Sequence, residues 1–149
     1  MLARPHQGVP ATVPEDPAPA LPAGRPDASP QVPLADAPPM AGNLLAGLPA
    51  REAGEAFQTL FRGAAVRIER IVSHGHASPE DFWYDQPADE WAMVVHGEAV
   101  LAFGDGRRHA MRAGDWVAIP AHCRHRVAST GPDTVWLAVH AEARGGRAP

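Results

Sequence analysis

Lysine is absent from this chain of 149 residues, so all 13 basic side chains are arginines, and 17 acidic residues leave a formal charge of −4. A nucleic-acid partner is not expected from that balance, because such surfaces need clustered positive charge. Cysteine is nearly absent as well. Cys123 stands alone, which excludes an intramolecular disulfide and fits a reducing compartment. No hydrophobic run is long enough to span a bilayer, and the opening Met1-Leu-Ala-Arg-Pro-His lacks the apolar core of a signal peptide. The expectation is a soluble, cytoplasmic protein without a membrane partner. There is also no Gly-rich phosphate loop, no Gly-x-Ser-x-Gly elbow and no Cys-x-x-Cys pair, so the chemistry those motifs carry is not expected here.

Aromatic side chains are missing from residues 1–39, which instead hold 11 of the 17 prolines. Such a stretch cannot bury enough surface to order itself, and it reads as a disordered Pro/Ala-rich tail. Residues 40–149 leave room for one domain with a small core. Between Glu52 and Phe61 the apolar residues Ala53, Ala56, Phe57, Leu60 and Phe61 recur at steps of three and four, which predicts a short amphipathic helix. From Ala64 the period changes to two, with Val66 and Ile68 alternating with Arg67 and Glu69. Strands are predicted over residues 64–73, 81–85, 90–96, 98–103, 107–112, 115–119, 123–129 and 134–141. Gly104-Asp105-Gly106 supplies a hairpin turn between two of them. Many short strands with such turns predict an all-β sandwich or barrel.

Two segments carry the chemistry. Glu90-Trp-Ala-Met-Val-Val-His-Gly97 and Gly114-Asp-Trp-Val-Ala-Ile-Pro120 followed by His125 resemble the two sequence motifs of the cupin family. The resemblance covers about residues 64–141 and implies a double-stranded β-helix barrel of jelly-roll type. It also implies Glu90 and His125 as inward ligands of a divalent transition metal, Fe, Mn, Ni or Zn. The family's His-x-His falls here on Tyr84 and Gln86. An amide oxygen at Gln86 can ligate a hard metal, whereas Tyr84 more naturally donates a hydrogen bond to a bound carbonyl or carboxylate. The opening of the segment Met40-Ala-Gly-Asn-Leu-Leu-Ala-Gly-Leu-Pro resembles the start of stand-alone small cupins, so residues 1–39 are either a tail or an over-extended start.

Other histidines compete for roles. His74-Gly75-His76 is a second His-x-His, and because residues two apart on a strand share a face, one of the pair, His76, is taken as a further metal ligand. His122 is expected at the barrel rim, and Cys123 lacks the base a nucleophile needs. His140 lines the pocket if its face of the last strand points inward. The run Phe82-Trp83-Tyr84-Asp85-Gln86 concentrates apolar walls and polar anchors, as a binding-site mouth does. Tyr84 and Asp85 are the candidate catalytic residues there. The expected function is a metal-binding cupin that holds a small polar ligand, a sugar or small carboxylic acid, with isomerase, oxygenase or lyase activity as its catalytic form. The alternative is a metal-free binding or sensing module. Pairing through strand edges makes a homodimer the expected assembly under either reading.

Overall fold

The computed structural model describes residues 38–51 and 54–142. The tail read over residues 1–39 lies, up to residue 37, outside the described residues. Eight strands follow in order: β1 (Ala56–Arg62), β2 (Val66–Ser73), β3 (Ala88–His96), β4 (Glu98–Phe103), β5 (Arg108–Arg112), β6 (Trp116–Ile119), β7 (His125–Thr130) and β8 (Thr134–Glu142). All pairings are antiparallel. One sheet runs β1-β2-β8-β3-β6 and the other β5-β4-β7.

The two sheets close on a core of Val94, Trp136 and Ile119 from the larger and Ala99, Leu101 and Met111 from the smaller, with Ile71, Phe103, Val117, Cys123 and Val127 packed against it. Because side chains alternate faces along a strand, this core fixes which residues of the larger sheet point inward. Val94 lies opposite Trp136, and Trp136 opposite Ile71. Counting back by twos, Glu90, His140, Glu69 and Arg67 face the same interior. The alternation read in Val66–Glu69 is therefore real, but there its polar members are the inward ones, and apolar residues take over the inward face from Ile71.

Two expectations are corrected. The helix over Glu52–Phe61 is not formed: Ala56–Arg62 is β1, paired along β2, with Leu60 the extra residue between the pairs Thr59↔Glu69 and Phe61↔Ile68. Sheet pairing overrides a local spacing that only resembles a helical period. The strand over residues 81–85 reduces to one bridge, in which Tyr84 N donates to His125 O at 2.8 Å and His125 N to Tyr84 O at 3.2 Å. The Gly104-Asp105-Gly106 turn forms as read, with Asp105 Oδ1 accepting the Arg107 amide at 3.0 Å. No helix among the described residues is long and apolar enough to cross a membrane.

Candidate functional site

Glu90 is inward on β3 and His125 opens β7 from the facing sheet, so the two motifs deliver one side chain each to the same interior point. His125 Nε2 lies 3.6 Å from Glu90 Oε2, with the side chains 5% and 12% exposed. His125 Nδ1 donates to the Cys123 carbonyl at 2.9 Å, which turns Nε2 toward the carboxylate. The Gln86 amide donates to the same Glu90 oxygen. Tyr84 stacks on the His125 ring with centroids 5.4 Å apart, and Phe82 meets Tyr84 edge-on at 4.8 Å.

The pair shifts each partner toward its charged form. Burial pushes the Glu90 carboxyl up, but the His125 imidazole beside it, the nearby His140 and the Gln86 amide outweigh it, and the net shift is down. Burial likewise pushes His125 down, and Glu90 together with the Cys123 carbonyl reverses this to a net rise. Tyr84 stays a neutral phenol: burial, then the negative charges of Glu55 and Glu90, push it up to about 12.

The remaining predicted residues sit elsewhere. His76 Nε2 pairs with Glu55 Oε2 at 3.3 Å, and Glu55 also accepts from Ser73 Oγ at 2.7 Å. His74 turns to Asp133 at 3.1 Å, and Gly75 between the two histidines has φ 70°, so they do not share a strand face. Asp85 accepts from His122 Nδ1 at 2.9 Å, both exposed at the rim. The motifs missed Glu55, which no pattern singled out. They also missed the inward Arg67 and Glu69, which strand parity could have placed had the phase of β2 been known, whereas His140, expected to line the pocket if its face of β8 points inward, is on that face.

The family model described as a cupin domain matches residues 72–140. A Ralstonia eutropha protein named as a candidate mannose-6-phosphate isomerase shares 53% identity, covering 70% of this chain and 100% of its own, with a TM-score of 0.68. The chain belongs to the cupin family. This cupin also superposes on a cupin superfamily protein from Desulfitobacterium hafniense (22% identity, TM-score 0.58, 70% of this chain and 93% of that one). An RmlC-like cupin of double-stranded β-helix fold from Methanocaldococcus jannaschii matches at 19% identity and TM-score 0.51, over 59% of this chain and 80% of that one. Those two likenesses speak to fold alone. No curated protein matches the sequence.

Cupin barrels commonly hold metals, and the donor set here can be tested against that. Protein-held transition ions take three or four imidazole, thiolate or carboxylate donors at about 2.0–2.3 Å. Of the implied ligands Glu90, His125, Gln86 and His76, the first two converge, Gln86 meets them through an amide, and His76 is turned to Glu55. Among the described residues no group of three or more His, Cys, Asp or Glu side chains is placed to hold an ion. With Tyr84 a neutral phenol, the set does not fit a tightly bound transition metal.

Proposed function

We propose that this cupin binds a small hydroxylated carbonyl compound, a sugar or sugar phosphate, inside its barrel and moves a proton between adjacent carbons, as an aldose–ketose isomerase does. The observation that carries the reading is the buried Glu90–His125 pair, 3.6 Å apart, with a carboxyl shifted down and an imidazole shifted up. A base and an acid thereby stand together, each shifted toward the protonation state such a reaction starts from. The Ralstonia relative, at 53% identity, supports the substrate class by its name.

Glu90 takes the proton from the carbon beside the carbonyl while the His125 imidazolium gives its proton to the carbonyl oxygen, leaving an enediol. The proton on Glu90 returns to the neighbouring carbon, and the other hydroxyl gives its proton back to His125, which closes the cycle without net change in the protein. The Tyr84 phenol donates a hydrogen bond to the ligand. Gln86 fixes the Glu90 carboxylate, so it positions rather than reacts. Asp85, held by His122 at the rim, sits at the ligand's entrance.

The test is conversion of mannose 6-phosphate to its ketose isomer, with metal content measured alongside. Turnover is expected to survive a chelator and to fall about 100-fold or more in Glu90→Gln and in His125→Asn, the scale of lost general acid–base catalysis. Close to one transition ion retained per chain and lost in Glu90→Ala, with chelator-sensitive turnover, would replace this reading by the metal-dependent one. Saturable sugar binding without turnover would leave a binding module.

A further inference from the structure

The inner face of the larger sheet carries more charge than the Glu90–His125 pair uses. Glu90 lies directly opposite His140, and His140 directly opposite Arg67, so the three stand in one row across β3, β8 and β2. Side chains opposed in this way have Cβ atoms about 4.5–5.5 Å apart. Glu69 faces the same way two residues along β2 and ties the row together, with Oε1 3.0 Å from Arg67 Nε and Oε2 3.3 Å from His140 Nε2. The side chains of Glu69 and His140 are 14% and 12% exposed. Burying such groups is costly, and none is needed to close the sheet.

The row is also incompletely satisfied. Arg67 Nε, although near Glu69, and His140 Nδ1 are buried without a well-formed hydrogen bond. Buried polar atoms in native proteins are normally paired with protein, water or a bound group, so these two call for a partner. Arg67 stands two strand spacings from Glu90, about 9–10 Å. An open six-carbon chain with an oxyanion at its far end has that length.

We propose that Arg67 and His140, held side by side by Glu69, form an oxyanion subsite that takes the carboxylate or phosphate end of the ligand, while its carbonyl end reaches Glu90 and His125. The subsite rests on the sugar-binding reading above and narrows it to C6-anionic sugars. A guanidinium suits this task because its planar fork can meet two oxygens at once. Glu69 restrains the fork instead of competing for it, since its two oxygens are divided between Arg67 and His140.

Calorimetric titration of the full chain with mannose, mannose 6-phosphate and mannuronate tests this. An anionic form is expected to bind about tenfold or more tighter than mannose, the worth of a charge-assisted hydrogen bond; which of the two gains identifies phosphate or carboxylate. In the double variant Arg67→Met/Glu69→Gln, which removes both charges together, that preference is expected to vanish while mannose affinity stays. If the double variant does not fold, Arg67→Lys decides, with the preference expected to fall about threefold or more as the fork is lost. Equal affinity for all three sugars in the wild type, or a preference that survives these variants, overturns the subsite and leaves the barrel reading intact. Failure of every sugar to bind overturns both.

Discussion

Glu90 and His125 each shift the other toward its charged form, so their contribution to stability has a defined pH window. The carboxyl is lowered from its ordinary 4.5, so its share is present above that value and lost as pH falls. The imidazole is raised from 6.5, so its share is complete below that value and lost as pH rises through the raised one. The melting-temperature gap between wild type and Glu90→Gln is therefore expected to peak between pH 4.5 and 6.5 and shrink on both sides. A gap that stays flat from about pH 3 to about pH 9 would show that the pair is not ionised in the fold. Glu90, His125 and Gln86 were legible in the sequence because motif spacing reports where a barrel strand begins. His76 was not, because its spacing is the same whether Gly75 continues a strand or breaks it. Glu69 and Arg67 escaped, and His140 was placed only conditionally, for a related reason: an alternating strand shows its period but not which of its two faces is inside.

At the scale of elements, the turns are where sequence and fold agree most closely, and two of them separate the causes of glycine's use. Gly97, between β3 and β4, has φ 81° and is packed so closely that a Cβ would strike the Asp133 carbonyl oxygen. Gly114, between β5 and β6, has φ 95° but nothing within 4 Å of an added Cβ. Both substitutions to Ala incur the strain of a positive φ, about 1–2 kcal/mol, and only Gly97→Ala adds a backbone clash. Chemical denaturation is expected to show Gly114→Ala lowering stability by about 1–2 kcal/mol. Gly97→Ala should cost about 1–3 kcal/mol more than that, or fail to fold. Equal losses would mean that the β3–β4 turn relaxes freely. β1 shows the opposite case. Its extra residue, Leu60, shifts the alternation by one, so that Leu60 and Phe61 fall three and four residues after Phe57, as they would on a helix face. A bulge is set by the partner strand, and no local pattern announces it.

At the scale of the whole molecule, the larger sheet turns one face to the smaller sheet, and its outer face carries an apolar patch that the smaller sheet does not cover. On the outer face Trp91 and Trp116 stack with centroids 6.0 Å apart, Trp116 is 58% exposed, and Ala118, Val139 and Ala141 line a hollow beside Trp91. β6, which carries Trp116, is also an edge strand with open backbone groups. An edge and an apolar face that meet at one corner suit a second copy of the same chain related by a two-fold axis, because one patch then covers its equivalent. The expected assembly is therefore a homodimer of a 15.8 kDa chain. Light scattering should give twice the chain mass for the wild type and the single mass for Trp116→Arg, with the far-ultraviolet circular dichroism of the variant unchanged. Residues of the proposed sugar site face the other way, into the barrel, so the monomeric variant should keep its ligand affinity. A wild type that runs as a monomer would instead leave the outer face of β3, β6 and β8 exposed in solution, and the tryptophan pair would need another partner.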